Sequence, residues 1–360
     1  MLIYILNFIS IALYGALIKD KKKLVTLISI QLFLILSLRS ISVGYVDLIT
    51  YIEGGEFIAT LSFPELLSRL HLLSAAELKW PYSFESGYTL ISWLFSFFDI
   101  PFQIFLVVYA FFVTLSLGVF VYRYSKDPAF SFLLFIAFNM FTYSFYILRQ
   151  TLAVCILLWA FHFLIEKKHF KFWLMLFIAF TIHRAAAVFI ILYFFRNVRA
   201  TMKSFERYMI LLGAFMLTAP FVYKLVITPL LVMMGRSIYT DLNFSLNVMI
   251  IIMLGICFLI YLFNNFTLNF NKYESLMLHA LIFAVFLEII GMCNDVFARI
   301  IQFMFIFVIV LIPNLLIKNS RRSQILKFGI YAVMLVFYIY ILKGSFIVPY
   351  ETVFQTGVVV

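Results

Sequence analysis

Long apolar runs punctuated by short lysine- and arginine-rich clusters set the pattern of this chain. A membrane crossing takes ~20 mostly apolar residues. By that measure Leu2–Ile18 and Leu24–Leu38 predict an opening helical hairpin around the Lys19–Lys23 loop. No basic segment or small-residue cleavage site precedes Lys19, so the start reads as a first spanning helix, not a signal peptide. Basic loops stay on the cytoplasmic side, which puts Lys19–Lys23 inside and the amino terminus outside. Residues 39–84 break the pattern. They carry Asp47, Glu53, Glu56, Glu65 and Glu77 and few bases, and form an acidic outer-face segment. Within it, Ser62–Leu73 has an early proline and helically spaced apolar positions, which predicts a short amphipathic helix on the outer surface.

Glu85–Phe98 rises only ~21 Å as a helix, against a hydrocarbon core of ~30 Å. If it crossed, Arg123 and Lys126 after the next run, Phe102–Tyr122, would face outward against their charge. The segment is therefore expected to be re-entrant or interfacial. Phe130–Leu148 then runs outward and Arg149–Ile165 inward. Phe172–Phe195 has bases at both ends and His183-Arg184 at its middle, which predicts a broken hairpin turning at that pair. Tyr208–Leu225, Leu246–Phe263, Leu276–Met292, Arg299–Ile317 and Phe328–Leu342 complete the spans. The expectation is an all-α polytopic membrane protein: one transmembrane domain over residues 1–360, with about 11 spanning helices plus short or re-entrant ones.

Composition sharpens this. The chain is 65% hydrophobic and 12% charged, where soluble domains are ~45–50% and ~25%. A net charge of +11 would suggest nucleic acid in a soluble chain; here it follows from insertion topology, and no nucleic-acid partner is expected. Cys155, Cys257 and Cys293 have no paired spacing, and the histidines lie at no metal-ligand spacing from a carboxylate, so neither disulfide, metal nor cofactor is expected. No phosphate-binding glycine loop, zinc-protease helix or nucleophile elbow appears.

The outer helix ends concentrate the polar residues: Arg39, Asp47, Glu85, Arg149, His183, Arg184, Arg236, Asp241, Glu288, Asp295 and Arg299. Arg149 and Arg184 stand in apolar sequence with no acid within a helical turn. A charge at mid-membrane costs at least ~2.5–3.5 kcal/mol, so such an arginine either snorkels or faces a cavity, partner or substrate. Tyr143, Tyr146 and Arg149 are three apart and Tyr146 and Gln150 four apart, one stripe if the helix is continuous. Asp295 stands four before Arg299, a spacing that suits a local ion pair. Guanidinium forks suit diphosphate oxygens, and a nearby acid suits deprotonation of a sugar hydroxyl. Asp47, close to Tyr51, and Glu85 flank the acidic segment and are the candidate bases; Glu85 also suits an N-terminal dipole partner of its helix. His183 has no acid neighbour in sequence.

At these residues the chain resembles the EpsG-type family of Wzy-like polymerases of bacterial surface polysaccharides. The resemblance rests on Arg39 to Asp47 with Tyr51, Phe84-Glu-Ser-Gly-Tyr88, Leu148 to Ala153, Glu166 to Lys171, Ala179 to Ala185, and Phe297 to Arg299 before a helix with Pro313. Arg184 follows the histidine where a small residue is usual, and Tyr45 stands where a small residue is usual before the aspartate. The resemblance implies a fold akin to GT-C membrane glycosyltransferases in the bacterial cytoplasmic membrane. It implies an O-antigen, capsule or exopolysaccharide polymerase that passes a glycan from undecaprenyl diphosphate to another lipid-linked repeat unit. Membrane lipids and a chain-length regulator would be its partners. On that basis Asp47, Glu85 and His183 are the candidate catalytic residues. Arg39, Tyr51, Arg149, Gln150, Arg184 and Arg299 are the candidate substrate-binding ones. The alternatives are a transporter or flippase of lipid-linked oligosaccharides, which needs polar groups through the full membrane depth, and an acyltransferase, which needs a histidine–acid pair near a cytoplasmic donor.

Overall fold

The computed structural model describes residues 1–70, 84–233, 241–242, 244–263, 270–294, 297, 299–316 and 321–356. His71, Glu77, Arg236 and Asp295 lie outside them, as do the last residues of the predicted outer helix Ser62–Leu73. The described residues are helical, with no named strand; extended pairing is confined to the bridge Arg39–Thr352. In chain order the helices begin with α1 (Leu2–Leu17), α2 (Lys21–Ser37), α3 (Tyr45–Ala59), α4 (Phe63–Arg69), α5 (Ser86–Phe97) and α6 (Phe102–Tyr124). There follow α7 (Pro128–Ala137), α8 (Met140–Tyr143), α9 (Leu148–Ile165), α10 (His169–Ile182), a 3₁₀ helix (Arg184–Ile190) and α11 (Ile191–Phe195). The remainder are α12 (Met202–Val222), α13 (Thr228–Met233), α14 (Val248–Phe263), α15 (Lys272–Gly291), α16 (Gln302–Phe305), α17 (Val308–Leu316), α18 (Arg321–Lys343) and α19 (Val353–Thr356). Among the described residues four stretches are long and apolar enough to cross a membrane: α6, α9, Met202–Met233 and α15.

Residues 1–187 and 317–360 form one compact unit, and residues 188–316 a second. In the first, the basic loops converge. Lys21 Nζ donates to the Ser125 carbonyl at 2.7 Å, beside the start of α7, where Asp127 caps Phe130 N at 3.1 Å and pairs with Lys327. Arg123 and Tyr124 both meet the His162 ring, and His162 lies 3.1 Å from Glu166. Lys19–Lys23, Arg123, Lys126, Lys168 and Lys327 thus share one end. From there α9 rises ~24 Å to Arg149.

The short segment α5 begins and ends at the far end of that unit. Glu85 before it meets the start of α9, and Gln103 just after it donates to the Ser37 and Arg39 carbonyls at the end of α2. Its 12 residues are shorter than the four long apolar stretches. The chain after α18 is likewise fastened at this end. Tyr4 Oη donates to Ile347 O, Ser40 N to Glu351 O, Gly44 N to Phe346 O and Val353 N to Leu38 O. Gly44 holds φ +83°, and a Cβ there would meet Tyr146 Cβ at 3.2 Å, so glycine fits both the turn and the contact.

Several expected elements differ. Residues 45–59 of the acidic segment form a full helix, α3. The run Phe130–Leu148 is not one helix: α7 ends at Ala137, Asn139 takes φ +63°, and one turn (α8) precedes α9. Asparagine tolerates that left-handed backbone because its short amide bonds locally. The stripe Tyr143–Tyr146–Arg149 therefore lacks a continuous helix, though the two tyrosine rings meet edge to face at 5.9 Å.

In the second unit α12 continues through a π turn (Tyr223–Ile227) into α13, and the run Arg299–Ile317 divides into α16 and α17. Glu288 is buried there, with Asn247 Nδ2 donating to it at 2.6 Å while Asn247 Oδ1 caps Ile250 N.

Candidate active site

Glu85 is the hub of the first unit's far end, opposite that unit's basic loops. As the residue before α5 it has the position of a helix cap, but its carboxylate does not cap its own helix. Oε2 accepts from Arg149 Nη1 at 2.5 Å; Oε1 accepts from His183 Nδ1 at 3.0 Å and from Arg184 N at 3.3 Å. The partners lie 64 and 98 residues away in sequence, so local spacing could not disclose them. Beside the alternative role of helix-dipole partner at the start of α5, Glu85 thus forms a three-way junction.

Each arm of the junction has a local cause. Arg149 sits in the first turn of α9, which has no acidic residue there, so guanidinium and helix dipole add as positive charge at one point. His183 stands where α10 ends, in extended backbone (φ −152°), before the 3₁₀ helix. That break occurs at the expected pair and turns Arg184 N toward Glu85.

Close approach of α5 to α10 depends on Gly87. A Cβ at Gly87 would lie 2.4 Å from Thr181 Oγ1 and 2.9 Å from the Thr181 carbonyl carbon. Gly87→Ala is expected to push α5 from α10 and destabilise the protein by about 1–3 kcal/mol, read as a lower thermal midpoint. Adding Thr181→Ala should recover only part of it, because the carbonyl carbon stays.

Aromatic rings close around Arg149. Its guanidinium carbon lies 4.9 Å from the Phe84 ring centroid, 5.7 Å from Tyr51 and 6.0 Å from Tyr88. Tyr51 stacks on Phe84 at 5.8 Å, and the Phe84 ring fills the space a Cβ of Gly54 would take. Phe84 and Tyr88 were not singled out as site residues from sequence, although both stand in the Phe84–Tyr88 motif.

Burial pushes the Glu85 carboxyl up; the His183 hydrogen bond and the Arg149 charge outweigh it and hold it at about 2. The sign follows: this contribution to stability is complete above the ordinary carboxyl value of 4.5 and fades as pH falls toward 2. An acid so held is a poor proton acceptor. Its carboxylate can only accept, so the contact puts a proton on His183 Nδ1, and in the neutral ring Nε2 is then the accepting nitrogen. Among the described residues Arg149 Nε and Arg184 Nη2 are buried without a hydrogen-bond partner, donors suited to an anion's oxygens.

The other predicted residues are placed as follows. Tyr51 belongs to the cage. Asp47 lies one turn before it on α3, half-buried, in the helix's first turn. Gln150 is buried on α9. Arg39 is fully buried and away from the hub's contacts: Nη1 donates to Val43 O and Phe145 O, and the guanidinium lies over the Phe145 ring at 5.0 Å. Arg299 is exposed in the second unit. Among the described residues no group of three or more histidine, cysteine or acidic side chains could hold a metal ion.

A helical membrane protein with a cationic, acid-anchored and aromatic-walled site, at the end of its first unit opposite that unit's basic loops, is the class that fold and site define. The match to the EpsG family runs over residues 22–352, nearly the whole chain, and the chain belongs to that family of Wzy-like polysaccharide polymerases. No curated protein and no solved structure matches it.

Proposed function

We propose that this protein is a polysaccharide polymerase of the bacterial cytoplasmic membrane. It transfers a glycan from undecaprenyl diphosphate to a sugar hydroxyl of a second lipid-linked repeat unit at the outer face. The observation that carries this reading is the Glu85 junction, which gathers Arg149, His183 and Arg184 at the end opposite the basic loops. Arg149 and Arg184 hold the diphosphate and stabilise the charge that develops as it leaves. His183 Nε2 takes the proton of the attacking hydroxyl, with Glu85 orienting the ring and stabilising the imidazolium. In that step the C1–O bond to phosphate breaks, the electron pair leaves on the diphosphate, and the acceptor oxygen bonds to C1. Asp47, a turn from the cage, is the second acid available to the reaction, and Tyr51 walls the site. Gln150, Arg39 and Arg299 act more remotely: the first two as buried supports of the outer end, Arg299 as a contact for substrate outside the junction.

The same reading takes the chain as one membrane domain of about 11 crossings in a GT-C-like arrangement, shorter apolar helices completing the four long ones. A chain-length regulator and membrane lipids are its partners. A flippase would need polar groups along the whole path, whereas the junction is confined to one end. A histidine–acid pair does occur, but away from the cytoplasmic side an acyl donor would use.

The test is purified protein in proteoliposomes with lipid-linked repeat units, read as chain length on a gel. A ladder of products is expected. Movement of the headgroup across the bilayer with no elongation would replace the polymerase with the transporter.

A further inference from the structure

Beside the Arg149 cage a groove of about 370 Å³ runs between α3 and α5 to the start of α6, and Tyr51 and Tyr88 belong to both. We propose that this groove is the acceptor subsite, taking the free sugar end of a saccharide, and that it accepts neither the diphosphate nor the polyprenyl chain. The inference rests on the polymerase reading above and deepens it.

Three observations point to a saccharide. First, the rim carries Glu56 and Asp99, both exposed, whose carboxylates make no hydrogen bond or ion pair with another described residue. Like charge repels a diphosphate, and an isoprenoid would desolvate both acids without a donor in return. Sugar hydroxyls donate to carboxylates and satisfy them. Second, the groove is also lined by the half-buried rings of Phe95 and Phe102, apolar surface against which the C–H face of a pyranose packs, with the buried Tyr51, Tyr88 and Phe105 behind. Third, Gly55 lies inside α3, where glycine weakens a helix. Its neighbour Gly54 is explained by the Phe84 ring; a Cβ at Gly55 would meet nothing within 4 Å. No atom of the described residues needs that space, and Gly55 lines the groove.

The two sites have opposite signs and share a wall. The cationic junction takes the donor's diphosphate, and the acidic groove takes the uncharged partner and leads it toward His183.

The experiment uses the full-length protein in lipid nanodiscs and, as probe, the free repeat-unit oligosaccharide released from the host's own polymer. Gly55→Phe fills the groove from a position with room at its Cβ. The double variant Glu56→Gln/Asp99→Asn removes both charges at the exposed rim, and asparagine tolerates the left-handed backbone of Asp99 (φ +49°). Each is expected to weaken saccharide binding at least about tenfold, the worth of one charge-assisted hydrogen bond, with an unchanged thermal midpoint. Affinity within about twofold of wild type in both variants, or no binding by the wild type, overturns the subsite. Arg149→Lys separates the two readings. Lost polymer with unchanged saccharide affinity supports both. Persisting polymer removes the diphosphate clamp, while the groove variants still decide the subsite by binding alone.

Discussion

Glu85→Gln is expected to cut polymer formation ~10²–10⁴-fold, the range for a general base that has lost its orientation. The amide keeps the volume, and its oxygen still accepts from Arg149. Its nitrogen, or the loss of charge at Oε1, removes what holds the proton on His183 Nδ1 at 3.0 Å. The ring then favours the other tautomer, and Nε2 ceases to be an acceptor. Arg149 also loses the carboxylate that balances it beside the positive end of α9. Removing one partner from a fully buried pair costs ~3–5 kcal/mol; here the arginine side chain is 23% exposed, so about 1–3 kcal/mol fits. Rate per folded molecule and thermal midpoint are therefore measured together. Wild-type polymer from Glu85→Gln would take the His183–Glu85 dyad out of the reaction and leave Asp47 as the acid to test.

What could be read from the chain beforehand divides by distance along it. Alternation of apolar runs with lysine loops depends on each segment's own composition, so the shared basic end and the break at His183 were both legible. Glu85, Arg149 and His183 were each conspicuous as polar residues at apolar borders. Their union was not, because it is made by tertiary packing across 64 and 98 residues. The helix α3 escaped because acids and a glycine pair masked its period; those glycines serve the Phe84 ring and the open groove. Asn139 escaped for the opposite reason. One polar residue in an apolar run reads as a tolerated guest, and only its backbone angle shows that it ends a helix. Arg39 was read as a ligand for substrate; it is fully buried at the same end, with Nη1 bonded to carbonyls of its own chain and Nε and Nη2 without a partner among the described residues.

Arg149→Lys should abolish the polymer ladder, at least ~10²-fold, while the protein accumulates at wild-type level. Lysine keeps the charge and can still reach Glu85, so the residue's role as counter-ion survives. What it cannot do is present a planar fork. The guanidinium spends Nη1 on Glu85, lies over the Phe84 ring at 4.9 Å and keeps Nε unbonded within the protein. A compact, strongly hydrated ammonium at that place makes one contact where the fork makes several, and sits less well against three aromatic faces. If Arg149 were only the partner of Glu85, lysine would restore most of the activity lost in Arg149→Ala. If it clamps diphosphate oxygens, both variants fail alike, and the unreacted lipid-linked units accumulate. A ladder of normal length from Arg149→Lys, or from Arg149→Ala, would move the diphosphate elsewhere and reduce the cage to a structural support for this end of the first unit.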